Sequence, residues 1–234
     1  MDYRVLSIGT LPANPLWEER QPTRTGHATT TLIRSGDAVI VVDPGLPEPA
    51  LRARLSERVR MEPKDVTHVF LTSFKPDVRA GLGLFENAEW LISEPERESV
   101  GVPLAMGLKR LAEQEAAGEA DPAETARLRR SLESEVSVLQ RCRAAPDELA
   151  PGISLFPLPG HTPGLTGLLL AARQTVLIVG DAVATQDHLE RGMVLKPCQD
   201  AEAAKASFEE ALEIADLLIL GRDNLVVNPT RRPF

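Results

Sequence analysis

Five turns in the sequence place carboxylate, imidazole or cationic side chains directly after short apolar runs, next to Gly or Pro. They are Val42-Asp43-Pro44-Gly45, Leu71-Thr72-Ser73-Phe74-Lys75-Pro76-Asp77-Val78, Gly160-His161-Thr162-Pro163-Gly164, Val179-Gly180-Asp181 and Gly221-Arg222-Asp223-Asn224. Carboxylates and imidazoles can bind a metal ion or move a proton, whereas ammonium and guanidinium groups bind anions. A single Asp or His in such a turn is more often a turn former or a helix cap, so only the set of turns indicates a site.

The apolar runs before these turns predict a protein rich in β-strands. Each run is short, contains β-branched or aliphatic residues and ends near Gly, Pro or Asp. We expect strands at Tyr3 to Ile8, Thr29 to Ile33, Ala38 to Val42, His68 to Thr72, Trp90 to Ser93, Ile153 to Leu158, Leu165 to Ala171, Thr175 to Val179 and Leu217 to Leu220. Apolar residues at helical spacing predict helices near residues 51–59 and 200–215, so helices should cover the sheets.

The composition excludes several classes of function. The chain has 234 residues, of which 43% are hydrophobic, and we expect a single domain over residues 1–234. Its 34 acidic and 26 basic residues give a net charge of −8, which disfavours nucleic acid and anionic membrane surfaces as partners. Two cysteines, Cys142 and Cys198, are too few for a disulfide scaffold, and with no export signal or membrane span visible they favour the cytoplasm.

The segment from Leu104 to Arg143 is rich in Ala, Glu, Arg and Leu and lacks any strand pattern. Its apolar residues repeat at helical spacing, and Asp121-Pro122-Ala123-Glu124 has the composition of a helix N-terminus. We therefore expect a helical insertion at about 104–143. Three roles are open for it: an insertion packed on the main body, a lid over a pocket, or an arm that forms a homodimer.

The order and spacing of the five turns resemble those of the metallo-β-lactamase superfamily over nearly the whole chain. The stretch from Asp65 to Thr72, followed by Gly81-Leu82-Gly83-Leu84-Phe85, is more similar to its small hydrolase-type members than to its antibiotic-resistance enzymes. The resemblance implies an α/β (α+β) fold, a four-layer αββα sandwich with its site at one edge of the two sheets. It also implies a pair of metal ions, usually zinc, that activates water to attack esters, lactones, thioesters, β-lactams or phosphodiesters.

This sequence departs from the family at most of the metal ligands. The family motif His-x-His-x-Asp-His falls on residues 73–78, and the remaining ligands fall on the later turns. The residues now at the seven ligand positions are Ser73, Lys75, Asp77, Val78, His161, Asp181 and Arg222. Only Asp77, His161 and Asp181 keep the family residue. Lysine and arginine cannot ligate a metal while protonated, and they repel a divalent ion.

The substitutions suggest a metal-free site in which Lys75 and Arg222 neutralise Asp77 and Asp181, with His161 hydrogen-bonded at the edge. The first functional hypothesis is a non-catalytic or small-anion-binding homologue without a cofactor. The alternative is a hydrolase of ester, lactone or thioester type that keeps one Zn, Mn or Fe ion on Asp77, His161 and Asp181.

Other polar residues are weaker candidates for a role in the site. Ser73 and Lys75 have a Ser-x-Lys spacing that could support metal-independent nucleophilic chemistry, although nearby carboxylates oppose it. Arg79 is expected to add positive charge to the pocket. His188 follows Asp181 by seven residues and could reach the pocket mouth, but a position outside the pocket is favoured for it. His27 is interpreted as a residue at the start of a strand, and His68 as facing protein rather than ligand.

Overall fold

The computed structural model describes residues 1–117 and 121–231, which form two six-stranded sheets. The first sheet contains, in spatial order, β1 (Asp2–Ser7), β2 (Thr30–Ser35), β3 (Ala38–Val42), β4 (His68–Leu71), β5 (Glu89–Ile92) and β6 (Arg143–Ala144). The second contains β7 (Glu148–Ala150), β8 (Ile153–Pro157), β9 (Thr166–Ala171), β10 (Thr175–Gly180), β11 (Leu217–Leu220) and β12 (Leu225–Val227). Strands β6, β7 and β12 are the ones that the apolar pattern does not predict, because they have only two or three residues.

The two sheets pack face to face through one side of each strand. In β3, Ile40 and Val42 lie in the core between the sheets, together with Val176 and Ile178 of β10. The alternate residues of the same strands point the other way, as the two-residue period of a strand requires. Because both faces are buried, these strands are almost entirely apolar.

Helices cover the outer faces of both sheets. They are α1 (Glu48–Val59), α2 (Glu94–Ala117), α3 (Pro122–Arg141), α4 (Gln186–Arg191) and α5 (Ala201–Ile214). Leu51 and Leu55 of α1 pack on the first sheet, and Phe208 and Ala211 of α5 pack on the second. The layers are therefore helix, sheet, sheet and helix, and the predicted α/β sandwich is confirmed.

Helices α2 and α3 form the expected helical pair, but α2 begins at Glu94, ahead of the predicted 104. The Ser93 hydroxyl accepts a hydrogen bond of 3.3 Å from the Glu96 amide and so caps the first turn, in which Pro95 needs no amide partner. Pro103 lies inside the helix instead of ending it. None of the helices in the described part of the chain is both long and apolar enough to cross a membrane.

The five polar turns meet at one edge of the sandwich. Strands β3, β4 and β5 are parallel, as are β10 and β11, so their carboxyl ends lie on the same side of their sheets. Backbone hydrogen bonds then join the turns: Ala28 donates to the Asp77 carbonyl at 2.9 Å and Thr29 donates to the Gly221 carbonyl at 2.8 Å. Segment 28–29 thereby connects the turn after β4 with the turn after β11.

Candidate functional site

Arg222 holds two carboxylates together at this edge. Its Nε and Nη2 donate to Oδ1 and Oδ2 of Asp181 at 2.7 and 2.8 Å, and its Nη1 donates to Oδ2 of Asp77. The side chains of Arg222 and Asp181 are only 1% and 2% exposed. A planar guanidinium that binds one carboxylate with two parallel hydrogen bonds is among the stronger charged pairs in proteins. The two acids are thus joined through one buried cation.

Lys75 and His161 complete the cluster. The Lys75 ammonium donates to Oδ2 of Asp181 at 3.0 Å and to Nε2 of His161 at 2.8 Å. An ammonium has no lone pair, so Nε2 must be the acceptor and the neutral imidazole carries its hydrogen on Nδ1. The cluster Lys75, Asp77, His161, Asp181 and Arg222, here called the cation-acid cluster, therefore contains two cations, two carboxylates and a neutral imidazole.

The pKa directions agree with these charges. Burial alone would raise the pKa of Asp181, but the charge and hydrogen bonds of Arg222, with Lys75, hold it well below its usual range. Burial lowers the pKa of His161, and the Lys75 charge acts in the same direction against the opposing effect of Asp181. Asp181 is therefore ionised and His161 neutral at neutral pH.

Two glycines bring Arg222 next to Asp181. A Cβ on Gly221 would lie 2.3 Å from the Gly180 carbonyl oxygen, so only glycine allows the turns after β10 and β11 to touch. Gly180 itself has a φ of +53°, in the left-handed region that glycine adopts at little cost. The residues that follow these glycines are Asp181 and Arg222, whose side chains meet as a result.

Asp43 lies behind the cation-acid cluster and is buried. Its two carboxylate oxygens accept hydrogen bonds from the amide and hydroxyl of Thr72, at 2.8 and 2.7 Å. Burial raises the pKa of Asp43 to about 7, and the Asp181 charge adds to this effect, while the Thr72 hydrogen bonds and Arg222 oppose it. The sequence marks Asp43 as a turn residue, but its buried surroundings bring its pKa into the neutral range.

A cleft of about 430 Å³ opens over the cation-acid cluster. Its floor carries Lys75, Asp77, His161 and Arg222. Two segments form most of its walls, and Thr162 lines it beside His161. The polar residues of these segments are Lys196 and Gln199, both exposed, and the apolar ones are Leu11, Pro12, Ala13, Pro15, Leu195 and Pro197. Both the volume and the combination of apolar walls with a few polar groups are typical of small-molecule sites. The apolar walls and Lys196 are the parts of the site that sequence reasoning missed.

Glu96 ties together the two loops that carry Lys75 and His161. This buried carboxylate accepts hydrogen bonds from the Phe74 amide at 3.0 Å, the Thr162 hydroxyl at 2.7 Å and the Gly164 amide at 3.2 Å. Glu96 is also absent from the residues that the sequence predicted for the site. The sequence pattern that could have pointed to Glu96 is the Ser-x-x-Glu spacing of Ser93 and Glu96, which is typical of a helix N-terminus. Here the glutamate contacts the two loops.

Replacing Glu96 by glutamine should lower the free energy of unfolding by about 1.5 kcal/mol, because one of its two acceptor oxygens becomes an NH₂ that faces another donor. Urea unfolding measures the change. Glu98→Gln, on the exposed side of the same helix, is the matched control and should leave stability unchanged. Equal stabilities for the Glu96 and Glu98 variants would contradict the role of Glu96 as a link between the loops.

Three other predicted residues take no part in the hydrogen bonds described for the cation-acid cluster. Ser73 is fully buried, and its hydroxyl has no hydrogen-bond partner among the residues that the structure describes; Val78 belongs to the apolar core under α1. Arg79 lies elsewhere: it donates to the Phe74 carbonyl at 3.0 Å, pairs with Glu135 of α3 and stacks on the Phe74 ring. The expectation that Arg79 adds charge to the pocket is wrong, because Glu135 holds it against the helical pair.

The remaining histidines hydrogen-bond to neighbouring protein groups. His27 Nε2 lies 3.1 Å from the Ile8 carbonyl, and His68 Nδ1 lies 2.7 Å from the Thr67 hydroxyl. His188 is buried, and its Nδ1 lies 2.8 Å from Oγ1 of Thr185, the residue that caps α4. Burial lowers the pKa of His188, which keeps it neutral. These contacts agree with the interpretations of His27 and His68, and they give His188 a position in the protein interior.

The family donors that remain are occupied by cations. Both oxygens of Asp181, one oxygen of Asp77 and Nε2 of His161 each accept a hydrogen bond from Lys75 or Arg222. Within residues 1–117 and 121–231, no group of three or more His, Cys, Asp or Glu side chains is arranged to hold a metal ion. These donors are therefore used in charge pairs within the chain.

The comparisons with known proteins agree with this fold. The family model of the metallo-beta-lactamase superfamily matches residues 23–219, and the chain belongs to that family. None of the curated proteins matches the chain in sequence.

Solved structures of the same fold include lactonases. AidC, a dizinc quorum-quenching lactonase bound to N-hexanoyl-L-homoserine product, is 20% identical with a TM-score of 0.60, over 80% of this chain and 67% of that one. A Thermotoga maritima protein assigned to the metallo-beta-lactamases is 18% identical with a TM-score of 0.64, over 97% and 98% of the two chains. An N-acyl homoserine lactone hydrolase with product at its catalytic metal centre is 21% identical with a TM-score of 0.53, over 82% and 80%.

Proposed function

We propose that this protein is a metal-free member of the superfamily that binds a small carboxylate-bearing molecule instead of hydrolysing one at a metal centre. The observation that carries the proposal is the position of Arg222, whose guanidinium lies between Asp77 and Asp181 and binds both. In the family these two acids are ligand positions. Here the charge that they need comes from the chain itself.

The residues present do not fit a pair of metal ions. A divalent ion near Asp181 would lie next to the charges of Lys75 and Arg222, both of which already contact that carboxylate. Like charges at such distances repel strongly where water is excluded. Ser73 and Val78 contribute no metal ligand either, so metal binding would require loss of the Arg222 pairs and offer few ligands in return.

Lys75 is the group best placed to bind the ligand. Two of its three ammonium hydrogens are directed at Asp181 and His161, and its side chain is 33% exposed, whereas that of Arg222 is 1% exposed. The third hydrogen is therefore available to a carboxylate in the cleft. Lys196 at the rim adds a second positive charge, and the apolar walls suit a short aliphatic chain.

Metal content tests the first half of the proposal. We expect protein purified without chelator to contain well under one zinc, manganese or iron ion per chain by elemental analysis. Lys75→His/Arg222→His is the informative variant, because it removes both cations and supplies two imidazoles beside Asp77, His161 and Asp181. It should gain zinc affinity. A tightly bound ion in the wild type, together with ester or lactone hydrolysis that a chelator abolishes, would instead establish the single-metal hydrolase alternative.

Ligand binding tests the second half. Calorimetry should detect hexanoate and show weaker binding of hexanamide, which has the same chain without the charge. Lys75→Met should weaken hexanoate binding about tenfold, the effect of one charged hydrogen bond. Lys205→Met, on the surface of α5, is the control and should bind as the wild type does. Equal affinities for hexanoate and hexanamide would overturn the proposed carboxylate site.

The net charge of the chain also bears on the kind of partner that it binds. The net negative charge of the chain supports a ligand other than nucleic acid or an anionic membrane surface. Cytoplasmic location, a homodimer and the single-domain assignment stay predictions.

A further inference from the structure

A second groove, outside the cleft, lies where the edges of the two sheets meet. It has a volume of about 540 Å³ and is bordered by the first turn of α2, the segment between β6 and β7, and strand β8. Apolar side chains form most of its surface: Pro95, Ala145, Leu155, Pro157, Pro159, Pro163 and Leu165. This set is here called the edge groove. Its volume falls in the range of small-molecule sites.

The charged side chains among the described lining of the edge groove are acidic. Glu94, Asp147 and Glu148 line it, and its lining within the described residues includes no Lys, Arg or His. Glu94 has a partly exposed partner in Arg97 at 3.5 Å, and Glu148 accepts from the Gly152 amide at 3.2 Å. Asp147 and Glu148 are both exposed, so their charges face solvent at the groove. An apolar body with a positive end is the ligand that complements this surface.

The strand edge beside the groove is unsuited to pairing with a strand from a bound peptide. Strand β7 pairs with β8 only as far as Ser154, and Leu155 donates the last bond, to the Asp147 carbonyl at 2.8 Å. Beyond it, Pro157 and Pro159 have no amide hydrogen to offer. Prolines at such an edge prevent another strand from pairing there.

We propose that the edge groove is a binding site for a small aliphatic amine, whose hydrocarbon chain packs on the proline and leucine surface while its ammonium pairs with Asp147 and Glu148. This site is separate from the cleft over the cation-acid cluster, and the proposal does not depend on the function proposed for that cleft.

Titration of ¹⁵N-labelled protein with hexylamine tests the proposal. Amide resonances of Ala145, Leu155 and Leu165 should shift and saturate. Hexan-1-ol and hexanoate share the hydrocarbon chain but not the positive charge, so they should bind the groove at least about fivefold more weakly than hexylamine. Asp147→Asn/Glu148→Gln should weaken hexylamine binding by a similar factor. Asp37→Asn/Glu133→Gln removes the same charge from exposed positions elsewhere and should have no effect.

Several results would overturn the amine site. If the groove resonances showed hexan-1-ol or hexanoate binding there as tightly as hexylamine, the charge of the ligand would have no role. Unchanged hexylamine binding by Asp147→Asn/Glu148→Gln would exclude a role for these acids. The same resonances shifting with protein concentration, together with a rising sedimentation coefficient, would assign the groove to a second copy of the chain. A basic tripeptide amide that binds more tightly than hexylamine would assign it to a peptide.

Discussion

Replacing Arg222 by methionine should lower the free energy of unfolding by about 3 to 5 kcal/mol, the cost of removing one partner from a buried ion pair. Asp181 would remain buried with only Lys75 as its cation, and Asp77 would lose its guanidinium partner. Methionine keeps much of the side-chain volume, so the loss reports on charge rather than on a cavity. Urea unfolding near neutral pH measures it.

A double-mutant cycle separates this effect from general damage. Arg222→Met/Asp181→Asn removes both charges, and we expect it to be more stable than Arg222→Met alone, because the uncompensated carboxylate is gone. Arg173→Met, in the exposed turn between β9 and β10, is the control and should change stability little. If Arg222→Met were as stable as the Arg173 variant, the cation-acid cluster would contribute nothing to folding.

Replacing Asp43 by asparagine should change how stability depends on pH. Relative to Asp43→Asn, we expect the wild type to lose about 2.5 kcal/mol of unfolding free energy between about pH 5 and pH 8. Asparagine has nearly the same shape, its oxygen can accept from the Thr72 amide, and its NH₂ can donate to the Thr72 hydroxyl. The substitution therefore removes only the ionisation of the side chain at position 43.

The direction of this pH dependence follows from the raised pKa of Asp43. Folding raises the pKa of Asp43 to about 7, whereas an unfolded aspartate has a pKa of about 4. Between these values the native state holds a proton that the unfolded state has released, so raising the pH destabilises the native state until Asp43 ionises at about pH 7. His161 and His188 have lowered pKa values and act in the opposite direction, but both are present in both proteins and cancel in the difference.

Urea unfolding at a series of pH values gives the two stability curves. Asp37→Asn, in the exposed turn between β2 and β3, is the matched control and should run parallel to the wild type. Curves for the wild type and Asp43→Asn that stay parallel over this range would show that Asp43 does not titrate in the folded protein.

Much of the cluster could be predicted because its members follow strands. Asp181 and Arg222 come within two residues of the ends of β10 and β11, Asp77 lies in the turn after β4, and the ends of parallel strands meet at one sheet edge. The family resemblance then indicated which of these residues should be neighbours. The helix-sheet-sheet-helix layering could be predicted for the same reason, since a strand buried on both faces is an almost continuous apolar run.

Other features depend on contacts that span long distances in the sequence. Glu96 reads as an ordinary acid in a helix, and only the packing of α2 brings it to Phe74 and Thr162. Arg79 follows the motif by one residue, but Glu135, which determines its direction, is 56 residues away. The cleft walls consist of Leu and Pro residues whose types say nothing about a site until the chain is folded.

The two segments that border the cleft determine how a ligand is admitted. No described residue of α2 or α3 lines the cleft, and Glu96 and the Arg79–Glu135 pair fix the base of that helical pair to the body of the protein. The mouth is instead framed by Pro12, Pro15 and Pro197, whose rings restrict the backbone. The opening is therefore already ordered before a ligand binds, so binding costs little conformational entropy of the protein. The shape of the opening also restricts which ligands can reach the charged residues.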